Sequence, residues 1–371
     1  MQAGATIHRG FSVRDLDQDA AGVGVDCVDG AGEQRQLRAS YVVGTDGHRS
    51  AVRGALGLDF PGASVVRSVM LADVRLSDPP PGLLTFNANG HGLFFVVPFG
   101  DGWFRVIARD PARDLPDDAP VDIPEIAELA RRVVGTDFGM QEARWTSRFH
   151  SDERQVRRYR VGGVFLAGDA AHVHSPAGGM GMNTGLQDAA NLGWKLAAVI
   201  RDGADDGLLD SYHDERHPVG KMVLRTSGGL IRAALLRRAP ARAARDAAAG
   251  IVLRLPPVAR RLALRISGLD IAYPPPAGSN RPVGRRAEDV VGVDGRRLYE
   301  VLRSARFTLV APPGFAAGDL DGHLDVLQVR EGAPRLVRPD GYVAWAGADA
   351  AGLRATLRIW GALGPAERST G

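Results

Sequence analysis

Residues Val164 to Gly185 read VFLAGDAAHVHSPAGGMGMNTG, and they limit the fold more than any other segment. The apolar run at its start is a buried strand, and Asp169 stands where that strand ends. A glycine-rich turn follows, and from Met182 the chain takes helical spacing. Strand, turn and helix in that order are the repeating unit of a parallel α/β sheet. Ligands of such sheets bind beyond the carboxyl ends of the strands, so Asp169 faces a ligand. In PAGGMGMN, Gly178, Gly179 and Gly181 remove side chains, so that backbone touches a large flat or phosphorylated group. The helix start at Met182 and Asn183 offers free N–H groups and a positive dipole end.

Asp169 accepts hydrogen bonds from hydroxyls, at roughly 1.5–3 kcal/mol each when charge-assisted. Hydroxyls, a diphosphate and an anion-prone ring together describe a flavin dinucleotide. A glycine-rich turn that merely closes a strand–helix junction is the alternative.

The chain has 371 residues, enough for two or three domains and a sizeable core. Its apolar content of 44% and charged content of 24% are those of an ordinary globular protein. A net charge of +3 is too small to argue for a nucleic-acid partner. Nearly all the positive charge is arginine, Lys195 and Lys221 being the lysines. One cysteine, Cys27, excludes an intramolecular disulfide and a cysteine-rich metal site, and fits a reducing compartment. No stretch approaches the ~18 apolar residues of a membrane span, so no stable membrane insertion is expected. MQAGATIHRG lacks the pattern of a signal peptide, which makes a cytoplasmic setting the expectation.

Strands are predicted at GVGVDCV and QLRASYVV, with a short helix from about Ser50. RSVMLADVRL, GLFFVVPF and WFRVIARD form a second set of strands. A helix is predicted from Ile123 to Val134 and a strand around Glu142 to Phe149. Leu186, Ala190, Gly193, Ala197 and Ile200 make a stripe at helical spacing, expected to face a neighbouring sheet. Residues 207–265 read as helical, with breaks at Pro218, Pro240 and LPPV. AYPPPAGSNRPVG reads as a linker, and the remainder as strands and helices.

GDAAHVHSPAGGMGMNTGLQDAANLGWKLA resembles the second FAD signature of the class A flavin-dependent aromatic hydroxylases. YVVGTDGHRSAVRGALGLDFPG is similar to that family's middle Asp-Gly motif, and LLDSYHDERHPVG and LVRPDGYVAWAG match in kind. The resemblance is to the branch of aromatic polyketide hydroxylases and rifampicin monooxygenase, and it covers essentially the whole chain. It implies an α/β fold: a Rossmann-like FAD-binding domain of the para-hydroxybenzoate hydroxylase type, an α+β substrate sheet and a thioredoxin-like C-terminal domain. Residues 1–62 and 151–201 are assigned to the FAD-binding domain and 63–150 to the substrate-binding β-sheet domain. A helical segment at 202–273, a linker at 274–281 and the thioredoxin-like domain at 282–371 complete the division.

By that resemblance Asp169, after Gly168, binds the ribityl hydroxyls of FAD. Pro176 sits beside the isoalloxazine. The backbone from Gly179 through Gly181 and Met182 to Asn183 holds the flavin pyrimidine edge, and Gly168 and Gly178 belong to the cofactor site. Asp46 and Gly47 serve the cofactor site and hydride delivery, and Arg53 is a structural or pyrophosphate-side partner. Met180 stands where the branch commonly has glutamine. The implied activity hydroxylates a phenolic or polyketide-like ring with NADPH or NADH and O₂, through a flavin C4a-hydroperoxide. A homodimer is compatible with it. No acid–base side chain is identified.

The family opens with a strand and G-x-G-x-x-G that seat the FAD diphosphate, and neither is found here. The expectation is therefore a chain lacking its first βαβ unit, with weak FAD binding. A non-catalytic remnant, or a partner-binding protein on the same scaffold, is the competing reading.

His213 and His217 at i and i+4 resemble part of a zinc motif, but Asp214 stands where glutamate is needed and Pro218 follows. A polar helix face explains them as well. His172 and His174 are candidate ligands or acid–base groups, or packing residues near the cofactor turn. Phe94, Phe95, Phe99 and Trp103 line an aromatic pocket or pack a core. The arginines from Arg232 to Arg265 suit solvated helix faces better than a membrane surface. The C-terminal domain has no cysteine, so it is expected to be structural or associative.

Overall fold

A computed structural model describes residues 4–236, 238–276, 279, 281–315, 320 and 324–363. Parts of the predicted linker (277, 278 and 280) and the end of the C-terminal domain (364–371) lie outside the described residues. In chain order the first elements are β1 (Ser12–Asp19), β2 (Gly22–Val28), β3 (Gln34–Ala39), β4 (Val42–Gly44) and α1 (Ala51–Ala55). Next come β5 (Gly62–Leu76), β6 (Thr85–Asn89), β7 (Gly92–Pro98), β8 (Phe104–Arg109), α2 (Ile123–Val134) and β9 (Met140–Gln155). Then follow β10 (Arg160–Val161), β11 (Val164–Leu166), β12 (His172–Val173), α3 (Gly181–Asp202), α4 (Asp210–Ala234), α5 (Ala239–Arg254) and α6 (Pro256–Ile266). The last are α7 (Leu298–Val301), β13 (Thr308–Ala311), β14 (Asp325–Gln328), β15 (Arg335–Val337), β16 (Val343–Ala346) and α8 (Ala350–Ile359).

QLRASYVV is not one strand. β3 ends at Ala39 in an antiparallel meander with β1 and β2, and the chain then crosses to a second sheet. There β4 pairs in parallel with β11, Val43 opposite Phe165, in the order β10-β11-β4. Val164, Phe165 and Leu166 are fully buried with Tyr159, Leu192 and Tyr212. Each such side chain contributes roughly 1.5–3 kcal/mol by leaving water.

The third sheet has the order β12-β9-β5-β8-β7-β6. Side chains alternate across it. Met70, Ala72, Phe94, Val96, Val106 and Ala108 turn inward onto Ile126, Leu129, Ala130 and Val133 of α2. Asp122 and Pro124 start that helix, and Gly135 at φ +84 ends it. On the opposite face Leu71, Phe95 and Ile107 lie abreast, as do Asp73, Val97 and Arg105. That face carries Phe86 and Trp145 exposed and Phe95 half-buried, so Phe94 belongs to the core while Phe95 does not.

Two helical expectations need correction. Pro218 lies inside α4 and does not break it. Buried Arg216 and Val219 hold the helix across the lost hydrogen bond. The stripe on α3 is also turned the other way. Leu186 is 62% exposed and Ile200 57%, and Ala190 and Gly193 are exposed. The buried face is Thr184, Asp188, Asn191, Leu192, Trp194, Lys195 and Ala198. It is polar because it meets charges from α4 and the C-terminal region. Lys195 Nζ donates to Glu215 Oε2 at 2.9 Å, and Arg338 reaches the same carboxylate at 2.5 and 2.9 Å.

That C-terminal region is a four-stranded sheet of order β14-β13-β15-β16, parallel between β13 and β14 and antiparallel elsewhere. Its core of Leu309, Leu336, Leu353 and Leu357 also takes in Trp194 of α3. No helix among the described residues is long and apolar enough to cross a membrane.

Candidate functional site

β11 delivers the chain to Gly168, whose φ of +58 turns the backbone out of the sheet. A side chain there pays for the left-handed conformation, so glycine is required. Asp169 follows on a single helical turn. The chain passes through β12, and Gly178 and Gly179 take φ +87 and +64 before α3 begins at Gly181. No side chain caps α3, which leaves its first N–H groups and positive dipole end open.

These residues surround a cleft of about 1210 Å³. Gly168, Asp169, Pro176, Gly179, Gly181 and Met182 line it, facing His48 and Arg49 from the loop after β4. A Cβ on Gly179 would meet nothing within 4 Å, and one on Gly181 would touch only the His174 ring at 3.4 Å. The space beside both glycines is open. His174 Nε2 is buried with no hydrogen-bond partner, and His174 lines the same cleft. Burial pushes its imidazole pKa down, despite the hydrogen bond to the Ser175 carbonyl at 2.8 Å. An orphaned polar atom, an uncapped helix start and a glycine-lined void together suit a large ligand with polar edges.

Not every predicted residue reaches the cleft. The Asp46 carboxylate turns onto α1, accepting from Ser50 Oγ at 2.5 Å and Val52 N at 3.1 Å. Gly47 takes φ +81 in the turn between them. Arg53 donates to the Ala170 carbonyl at 3.0 Å and the His48 carbonyl at 2.7 Å, and it stacks on Phe60. It thereby ties the Asp-Gly loop to the turn carrying Asp169. Gly178 approaches Leu230 and Ile266 instead of the cleft, and Asn183 lines a smaller cavity beside Met180 and Gln187.

The residue that organises this corner is Asp188, fully buried on α3. It accepts from Gly168 N at 3.1 Å and Arg216 Nε at 2.7 Å, and its Oδ2 lies 2.7 Å from His172 Nε2. Burial alone would raise its carboxyl; Arg216 and His172 outweigh burial and hold it below the usual range. Sequence reasoning passed over it. The signal available was the polar series Asp188, Asn191 and Lys195 at helical spacing. His213 and His217 meet each other at a tilt and pack edge-on against Tyr159. No cluster that could hold a metal occurs among the described residues.

Comparison with known proteins gives the family. Residues 1–227 match the family model for an FAD binding domain, and residues 280–365 match that for the aromatic-ring hydroxylase C-terminal region. A rifampicin monooxygenase of Streptomyces venezuelae is 41% identical over 367 residues, covering 96% of this chain and 75% of that protein. A 12-dehydrotetracycline 5-monooxygenase/anhydrotetracycline 6-monooxygenase of Streptomyces rimosus is 36% identical over 398 residues, covering 97% and 77% respectively. The solved structure of CabE, an aromatic hydroxylase from angucycline biosynthesis, superimposes with a TM-score of 0.82 at 36% identity, over 96% of this chain and 76% of that one. The chain belongs to the FAD-binding flavin monooxygenases that carry an aromatic-ring hydroxylase C-terminal domain.

Proposed function

We propose that the 1210 Å³ cleft seats FAD, and that an aromatic ring, phenolic or polyketide-like, is hydroxylated beside it with NAD(P)H and O₂. The observation that carries this reading is the convergence of Asp169, the open glycine turn and the uncapped start of α3 on one void. Bound FAD supplies the electron transfer from NAD(P)H and the activation of O₂. The chain supplies the seat. Asp169 accepts from the ribityl hydroxyls. Gly179 and Gly181 let backbone approach the ring edge, and the start of α3 favours negative charge there. Pro176 stands beside the ring without an N–H of its own. Asp46 and Gly47 act from a distance by shaping the loop that presents His48 and Arg49. Arg53 serves as the structural tie between the two motifs. Gly178 sets the turn, and Asn183 lies in the first turn of α3.

Phe60 and Phe149, both half-buried, line the same cleft beside Arg105 and His150, and suit a flat ring system. The buried, unpaired Cys27 agrees with a cytoplasmic setting. Flavin titration followed by absorbance tests the seat. Asp169→Ala should weaken binding on the order of 10–100-fold, the loss of one or two charge-assisted hydrogen bonds. NAD(P)H oxidation stimulated by a phenolic compound, with oxygen from O₂ in the product, tests the reaction. Equal flavin affinity in wild type and Asp169→Ala would overturn the assignment.

A further inference from the structure

Arg148, His150, Asp152 and Arg154 stand at alternate positions of β9, and all four line the cleft that holds Asp169. The β5–β9 ladder slips here. Val66 pairs with Ser151 and Val69 with Phe149, so His150 has no partner in register. Across from it Ser68 takes φ +54, a left-handed backbone in a non-glycine residue. Such bulges re-aim a side chain.

The freed imidazole is held from the loop before α2, its Nδ1 hydrogen-bonded to Asp117 Oδ2. A carboxylate only accepts, so Nδ1 donates to Asp117, and in the neutral imidazole Nε2 is the nitrogen with the lone pair. Nε2 lies 3.8 Å from Asp152 Oδ1, too far for a hydrogen bond and close enough to stabilise positive charge. Burial alone would raise the Asp152 carboxyl. Hydrogen bonds from Ser64 at 2.5 Å and Arg154 at 2.6 Å outweigh burial and keep it ionised, below the usual range. The remaining charged or titratable groups around the cleft are Arg148 and Arg105 on the sheet, His48 and Arg49 after β4, and Asp169 and His174 after β11. The pair of His150 and Asp117 is over 40% exposed on both sides, so it contributes at most ~1 kcal/mol to stability. Its placement therefore has little structural purpose.

We infer that His150, oriented by Asp117, accepts the proton of a ring hydroxyl on the aromatic substrate; this rests on the reading of the cleft given above. The substrate O–H bond breaks and an N–H bond forms at Nε2. A phenolate and an imidazolium result, and no electrons are exchanged. Asp117 and Asp152 stabilise the imidazolium from two sides, and the cleft arginines favour the phenolate.

The probe is para-nitrophenol, whose ionised form alone absorbs in the visible, bound to the intact FAD-loaded chain and followed by difference spectra across pH. Wild type should ionise the bound probe at a pH about one unit below that of the free probe. His150→Gln should abolish that shift, and Asp117→Asn should reduce it. His150→Asn gives the same reading if His150→Gln does not fold. Ionisation in the His150 variants equal to wild type overturns the inference and leaves the cleft assignment standing. So does a wild type that binds flavin and probe without shifting the probe's ionisation. A wild type that binds neither overturns the cleft assignment, and this inference with it.

Discussion

Asp188 has both carboxylate oxygens engaged by Gly168, His172 and Arg216 in a site without solvent. Removing one member of a buried ion pair leaves its partner's charge uncompensated, at a cost of ~3–5 kcal/mol. Asp188→Asn should therefore lower the unfolding free energy by that amount, measured by chemical denaturation. Asp188→Asn combined with Arg216→Met should recover part of the loss, because no lone charge remains. A single variant as stable as wild type would show that Arg216 finds compensation in Tyr273 and Thr184 alone. At this scale the sequence motifs indicated Asp169, Pro176, Gly179, Gly181 and Met182, which do share one cleft. They did not indicate where Asp46 turns. Its direction follows from Ser50 and the exposed N–H groups of α1, and such competition for a carboxylate is invisible in a linear motif.

On α3 the apolar and polar faces exchange the roles that periodicity assigns them. Because Leu186 and Ala190 are exposed, Leu186→Glu and Ala190→Glu should each change the melting free energy of this chain by less than about 0.5 kcal/mol. A loss of several kcal/mol in thermal denaturation would restore the periodicity reading. Helix bounds were more legible than helix orientation. The predicted α2 coincides with the observed Ile123–Val134, since proline, charge and glycine mark its ends locally. β9 extends from Met140 to Gln155, past the predicted Phe149, because its polar second half looks like loop until β5 is beside it.

Across the whole molecule, a buried ion network joins α3 and α4 to the C-terminal sheet. Glu215 accepts from Asn191, Lys195 and Arg338, and Asp340 accepts from Asn191 and Arg338. Burial would raise the Glu215 pKa, but Arg338 and Lys195 pull it down from 4.5 to about 2. Burial takes Lys195 down to about 8. The sign for Glu215 is that of a depressed acid: as pH falls through 4.5 the unfolded chain binds the proton first. Stability from this group is whole above that pH and declines toward pH 2, by on the order of 3 kcal/mol. Denaturation at a series of pH values should show this decline, and Glu215→Gln should flatten it while lowering stability near neutrality.

The amino-acid sequence alone determined the class of fold, most of its elements and the glycine turn that follows β11. Those depend on short-range chemistry: apolar runs, glycines at left-handed positions, and acids and prolines at helix ends. Tertiary structure alone decided which side of α3 is buried, which carboxylate steadies Gly168, and that His150 shares a cleft with Asp169. These depend on charges far apart in the chain meeting where water is excluded. There, pairing overrides hydrophobic pattern, and no local signal records the partner.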